Sequence, residues 1–246
     1  MTDVSKSPAR IAGMFDAIAA RYDFLNHCLS AGIDRRWRRT AIRSLQLTGR
    51  ERVLDLCTGT GDLAIAATTA TPSAARVVGV DFAGAMLQVG QAKLRDASLG
   101  SAIALVRGDA TSIPVASGSV DAVTIGFGIR NVEDTAAACR EIHRVLRPGG
   151  RIAILEFAIP TTPGVRGAYL WYFNTILPLI GRIVSRHNAA YGYLPASVGA
   201  FATPDEFVNV LRHSGFEGVS ASPLTMGIVY LYTGQKDPTA ILAVSP

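Results

Sequence analysis

The chain has 246 residues, is 49% hydrophobic and 17% charged, and carries a net charge of +5. That balance supplies a large core and excludes a disordered chain. The basic residues form no long stripe, which excludes a nucleic-acid binder, and the longest uncharged apolar run, between Arg166 and Arg182, falls short of the roughly 20 residues that span a bilayer.

The polar stretch Met1 to Arg10 has no apolar export core, and Cys28, Cys57 and Cys139 are too scattered for a metal site or a redox pair. A reduced, cytoplasmic setting is the expectation. Pro8 suits a first helical turn. Met14, Phe15, Ile18, Tyr22 and Leu25 then recur at helical spacing, so the pattern predicts a helix over 8–27. A second helix is expected from Asp34, read as its N-cap, to Leu47, with Gly49 as the stop. It carries Arg35-Arg36-Trp37-Arg38-Arg39, read as a solvated face, with contact to an anionic membrane surface as the sharper alternative.

From Arg52 the pattern changes to strand–helix alternation. Expected strands are Val53–Cys57, Arg76–Val80, Ala102–Arg107, Val120–Gly126 and Arg151–Phe157, the last entered through a sharp Pro148-Gly149-Gly150 turn. Expected helices are Asp62–Thr71, Ala83–Ala97 and Thr135–Leu146. Residues 160–203 interrupt this with an apolar helical insert. Pro204–Ser214 is a helix capped by Thr203 and stopped by Gly215, and Phe216–Ser222 with Gly227–Gly234 forms a closing hairpin. The pattern predicts a doubly wound, mostly parallel α/β sheet of seven strands in a single domain over 1–246. Within it lie an N-terminal helical cap (1–48), a cofactor-binding core (49–159), a lid insert (160–203) and a closing helix and hairpin (204–236).

The centre of this pattern is Asp55-Leu56-Cys57-Thr58-Gly59-Thr60-Gly61-Asp62, a strand running into a glycine turn. Gly59 to Ala64 matches the G-x-G-x-x-A dinucleotide fingerprint, and Asp81 lies 20 residues beyond Gly61, placed to hold ribose hydroxyls. Nicotinamide and S-adenosylmethionine sites both use such a turn. Three features favour S-adenosylmethionine. Asp55 adds a carboxylate that a pyrophosphate would not welcome but a sulfonium or ammonium would, although it could equally tie the turn. Asp109-Ala110 after the third strand can serve the adenine edge. The literal Tyr-x-x-x-Lys match of a short-chain reductase, Tyr232 with Lys236, falls at a strand end, where four residues span about 13 Å.

Four stretches carry a resemblance that covers nearly the whole chain: Met14 to Arg38 (with Tyr22-Asp23, Asn26, Ser30 and Trp37), Val53 to Asp62, Phe127-Gly128-Ile129-Arg130-Asn131-Val132, and Arg144 to Phe157. On these the chain resembles the ubiquinone/menaquinone biosynthesis C-methyltransferase family, within the class I S-adenosylmethionine-dependent methyltransferases. The resemblance implies that Thr60, Asp81, Asp109, Ala110 and Gly126 contact the cofactor beside the Thr58-Gly59-Thr60-Gly61 turn. It implies a polyprenylated quinol as methyl acceptor, demethylmenaquinol first and 2-methoxy-6-polyprenyl-1,4-benzoquinol second. A nicotinamide-dependent oxidoreductase is the rival from another class. Cys57 stands where many methyltransferases carry the first glycine, and Gly126 offers only backbone groups.

Methylating a ring carbon requires the neighbouring hydroxyl to lose its proton. Arg130, at the carboxyl edge after the fourth strand, is the expected cation that favours phenolate, and Asn131 is expected to orient a water or a quinol oxygen. His187 is a candidate general base, and Tyr191 and Tyr193 are candidate donors to the second quinol oxygen, with lid packing the alternative for all three. The run Tyr169 to Ile180 suits an isoprenoid tail or a membrane-facing lid. Peripheral contact with the membrane surface and self-association are both compatible with this sequence.

Overall fold

The computed structural model describes residues 6–23, 30, 32–176 and 188–239. Seven strands form one sheet: β1 (Arg52–Leu56), β2 (Arg76–Asp81), β3 (Ile103–Arg107), β4 (Val120–Gly126), β5 (Leu146–Phe157), β6 (Phe216–Leu224) and β7 (Val229–Lys236). Their spatial order is β3-β2-β1-β4-β5-β7-β6. The five strands from β3 to β5 run parallel, and β7 inserts antiparallel between β5 and β6.

Alternation along the strands builds a core on each face of the sheet. Val53, Val77, Ala122 and Ala153 pack under α2 (Asp34–Ser44) and α3 (Asp62–Thr68), whose Ala41, Ile42, Leu63 and Ala67 complete that core. Leu54, Leu56, Val123 and Ile154 pack on the other face. There they meet Cys139 and Ile142 of α5 (Thr135–Val145) and Phe207 and Leu211 of α8 (Pro204–His213). Helix α4 (Gly84–Asp96) spans β2 and β3, α6 (Pro163–Trp171) runs on into a π turn at Tyr172–Ile176, and α7 is Asn188–Gly199.

The expected helix over 8–27 is shorter. Helix α1 (Pro8–Ile18) tightens into a 3-10 turn at Ala19–Arg21, which packs Ala19 on Ala83 and Met86 with Tyr22 alongside. Residues 24–29 lie outside the described residues. Asp34 is not an N-cap. It is the first residue of α2, and its carboxylate turns sideways to accept from Ser30 Oγ (2.8 Å) and Arg38 Nη1 (2.5 Å). Of the basic cluster beside it, Arg35, Arg36 and Arg39 are exposed, while Trp37 and Arg38 are buried. The Pro148–Gly150 turn is a bulge inside β5, because Val120 pairs with Leu146 and Ala122 with Arg151; Gly149 supplies the positive φ. Thr203 caps α8 through a full capping box with Glu206, and Gly215 follows that helix with φ +96°.

Strand order reverses between β1 and β4. In an open α/β sheet the crevice at the carboxyl ends of such a pair is where ligands bind.

Candidate functional site

Two backbone corners form the floor of that crevice. Cys57, after β1, has φ 55°, and Phe127, after β4, has φ 62°, both in the left-handed region that side chains disfavour. The first is the position where a glycine would relieve the backbone. The corners pack directly on each other, since a Cβ on Gly128 would stand 2.3 Å from the Cys57 Cβ. Burial pushes the Cys57 thiol well above its ordinary pKa.

Asp55 holds the turn from beneath. Its Oδ2 accepts from Thr58 Oγ1 (2.6 Å) and from the Ala64 amide (3.1 Å), and its Oδ1 accepts from Thr124 Oγ1 on β4 (2.8 Å). The residue is 1% exposed. Burial raises its carboxyl to about 6, against the pull of those three donors. Asp55 and Thr58 therefore stitch β1, α3 and β4 together. These contacts match the reading in which Asp55 ties the turn. Thr60 is also turned away, donating to Asp23 Oδ1 of the N-terminal segment (2.5 Å), and Gly61 is the left-handed cap of α3.

Above the floor, polar cavities of about 300 and about 30 Å³ adjoin one another, and both are lined by Cys57, Asp81, Phe82, Asn131 and Val132. Gly108, Asp109 and Ala110 close the larger one, and Gly59 and Gly126 the smaller. Each Asp81 oxygen accepts one backbone N–H, Oδ2 from Gly59 (2.8 Å) and Oδ1 from Ala83 (2.9 Å). Each keeps a lone pair for a ligand hydroxyl. Burial raises this carboxyl too, opposed by those amides. Asp109 Oδ1 accepts from the Thr111 amide and hydroxyl (2.8 and 2.9 Å), which fixes the carboxylate at the cavity edge.

The third cavity, of about 260 Å³, is apolar and aromatic. Phe127 and Phe157 stack with centroids 4.5 Å apart, and the Trp37 ring meets both edge-on. Trp37 Nε1 donates to Thr225 Oγ1 (2.8 Å). Arg130 lines this cavity but is not a lone cation. Its Nη1 donates to Glu156 Oε1 (2.7 Å) and to the Phe127 carbonyl, its amide to Glu156 Oε2 (3.2 Å), and its Nε to Ser197 Oγ (3.3 Å). Glu156 is fully buried. Tyr193 also lines the cavity, and its hydroxyl donates to Asn131 Oδ1 (3.1 Å). Burial raises that phenol. Phe15, Tyr22 and Phe127 line both this cavity and the smaller polar one, so one aromatic wall serves two cavities.

The family model of the ubiE/COQ5 methyltransferase family matches residues 1–236. The chain belongs to that family. It is 45% identical over 236 residues to the ubiquinone/menaquinone biosynthesis C-methyltransferase UbiE of Geobacter sp. (strain M21), covering 96% of this chain and all of that one. It is 39% identical over 231 residues to the demethylmenaquinone methyltransferase of Bacteroides fragilis, covering 94% of each. Among solved structures, a SAM-dependent methyltransferase from Thermotoga maritima has the same fold (TM-score 0.63, 16% identity, 92% of this chain and 99% of that one).

The methyltransferase thus brings Gly59, Asp81, Asp109, Ala110, Gly126 and Asn131 to the polar cavities, and Arg130 and Tyr193 to the apolar one. His187 lies outside the described residues; Tyr191 falls in α7, but its side chain is not described. Tyr232 is buried in the core, and Lys236 donates to the His143 and Leu146 carbonyls (both 2.8 Å), so this pair has no reductase geometry. Sequence reasoning missed Glu156 as the partner of Arg130. It also missed the clamp that binds the N-terminal segment over the turn. Lys93 Nζ pairs with Asp23 Oδ2 (2.7 Å) and Asp62 Oδ1, and Arg38 with Asp34 and Asp62. The signal for Glu156 was its place in the Leu155-Glu156-Phe157 stretch, where a charged residue sits at the end of an apolar strand.

Proposed function

We propose that this methyltransferase moves the methyl of S-adenosyl-L-methionine to a ring carbon of a polyprenylated quinol, demethylmenaquinol being the acceptor. The observation that most supports it is the junction at Arg130 and Asn131. The first lines the apolar cavity and the second lines the polar ones, with Phe127 forming a wall of both spaces. A polar adenosyl ligand and an apolar prenylated ring can therefore meet edge to edge.

In this reading Asp81 accepts from the ribose hydroxyls, Asp109 and the backbone at Ala110 serve the adenine, and Gly59 and Gly126 let the ligand approach the chain. The cofactor supplies an already activated methyl on a sulfonium, so the protein contributes position and electrostatics. The Trp37, Phe127 and Phe157 rings hold the quinol plane. Arg130 presents a donor to the quinol oxygen beside the reacting carbon. Because Glu156 compensates its charge, Arg130 stabilises the phenolate as an oriented donor more than as a free cation. Asn131, held by the Tyr193 hydroxyl, is fixed beside the methyl. The quinol hydroxyl gives its proton to solvent or a water at this edge. The methyl's bond to sulfur breaks as its bond to the ring carbon forms, and the hydrogen on that carbon then leaves as a proton while the oxygen regains one, restoring the aromatic quinol.

Among the described residues no helix is long and apolar enough to cross a membrane. Trp171 and Met226, 60% and 68% exposed, adjoin the cavity residues Tyr172 and Thr225. With the exposed Arg35, Arg36 and Arg39 they favour docking on an anionic bilayer that holds the prenyl tail. The benzoquinol of the ubiquinone route is the second reading, favoured by the double name of the Geobacter relative.

The test is an assay of purified enzyme with demethylmenaquinol and the benzoquinol precursor side by side, following product mass. Methylation of the naphthoquinol at the higher kcat/KM is expected. Turnover of the benzoquinol alone would reverse the choice, and turnover of neither would end the quinol reading.

A further inference from the structure

The polar groups that line the apolar cavity are mostly engaged within the protein. The Tyr193 hydroxyl is committed to Asn131, Trp37 Nε1 to Thr225, and Arg130 Nη1 and Nε to Glu156 and Ser197. Tyr169 differs. It lines the cavity from α6, is 6% exposed, and its hydroxyl is buried with no hydrogen-bond partner among the described residues. Its ring is fixed against Phe173, centroids 4.2 Å apart. An unpaired buried hydroxyl is destabilising, and where one persists in a ligand cavity the missing partner is the ligand's.

A 1,4-quinol carries two oxygens on opposite edges of the ring. In the reading above, one of them, beside the reacting carbon, faces Arg130 and Asn131. We propose that Tyr169 donates a hydrogen bond to the other, the hydroxyl next to the prenyl chain, and so fixes the rotation of the ring that brings the unsubstituted carbon to the methyl. This rests on the quinol reading. Burial raises the Tyr169 phenol, so it stays protonated and remains a donor across the working pH range. Tyr169 and Arg130 line the same cavity, so one ring can meet both. The role expected of Tyr193 from sequence thus passes to a tyrosine on the neighbouring insert helix.

The experiment compares the full chain with its Tyr169→Phe variant. The probes are a short-chain prenylated 1,4-naphthalenediol and the monohydroxy analogue that keeps only the hydroxyl beside the reacting carbon. Wild type should prefer the diol by roughly 10-fold in kcat/KM, the worth of one buried hydrogen bond. In the variant the preference should shrink to within about two-fold, through loss on the diol alone. Affinity for S-adenosyl-L-methionine should be unchanged, and the thermal midpoint of the ligand-free variant should be equal or higher, because an unsatisfied hydroxyl has gone. A variant that keeps the wild-type preference overturns the proposal. So does one whose thermal midpoint and cofactor affinity both fall, since that marks Tyr169 as a structural residue. If wild type methylates neither naphthalenediol nor benzoquinol, the quinol reading fails first and this proposal falls with it.

Discussion

The larger polar cavity is walled mainly by turn backbone and short side chains, and the apolar cavity by large side chains brought from distant parts of the chain. On the polar side, Gly59, Gly108, Ala110 and Gly126 present main chain to the cavities, and Asp81 is pinned by two amides only a few residues from the β1 and β2 ends. On the apolar side, Trp37 comes from α2, Phe127 from the end of β4, Phe157 from β5, Tyr169 from α6 and Tyr193 from α7. A cofactor shared across a superfamily can be held by a fixed turn. A substrate particular to one family needs a wall whose side chains can be exchanged without disturbing the turn. The two sides should therefore respond separately to substitution, except where they share an element.

The largest effect is expected at Glu156→Ala. It leaves the Arg130 guanidinium buried without its carboxylate, which should destabilise the fold by about 3–5 kcal/mol in chemical denaturation. If the cofactor affinity of the remaining folded protein changes less than about three-fold, the separation of the two sides holds; a large loss would break it.

Asp55→Asn tests the polar side's foundation through pH. The Asp55 carboxyl is raised from 3.8 to about 6 in the folded state, so the fold binds this proton more tightly than the unfolded chain does. The stability it adds is full below about pH 4 and is lost as pH rises through about 6. Between pH 4 and pH 7 the stability difference between wild type and the variant should therefore shift by about 3 kcal/mol against wild type. A difference that stays flat with pH would show that Asp55 titrates normally.

Gly128→Ala is the variant that should strike both sides together. Its Cβ would lie 2.3 Å from that of Cys57, and relief requires one of the two left-handed corners to move. A loss of about 1–3 kcal/mol in stability is expected, with cofactor affinity and quinol KM worsening in parallel. The smallest effect on the fold belongs to Asp81→Asn. It should raise the cofactor Kd roughly 10- to 100-fold, the worth of hydrogen bonds to a charged acceptor, while leaving the quinol KM within about two-fold at saturating cofactor. Calorimetric titration and steady-state kinetics separate these outcomes.

The same contrast governs what the sequence could reveal. The strand–helix alternation, the closing hairpin and the Thr203 cap are local patterns, and they reappear in the structure with ends shifted by a few residues. Asp81 and Asp109 were legible because their distance from the glycine turn follows from one βα unit after another. The two readings of Asp55 could not be separated in the sequence for a local reason: its partners Thr58 and Ala64 lie three and nine residues on, and a buried carboxylate that ties a turn has the same spacing as one that faces a ligand. Asp34 has the residue type and place of a cap, and nothing in the sequence marks that Ser30 and Arg38, four residues to either side, claim its oxygens. The pairings Arg130–Glu156, Asn131–Tyr193 and Trp37–Thr225 span 26, 62 and 188 residues. Only the folded chain brings them together, and with them nearly all that is particular to the apolar cavity.

Phe127 belongs to both ligand spaces. Any displacement of its ring that one ligand requires is transmitted to the other, so the two occupancies form one linked equilibrium. By thermodynamic reciprocity, the factor by which bound cofactor changes quinol affinity is the factor by which quinol changes cofactor affinity. In the proposed assignment of the two spaces, a single phenyl ring on a left-handed backbone corner would make cofactor exchange depend on whether the acceptor is present.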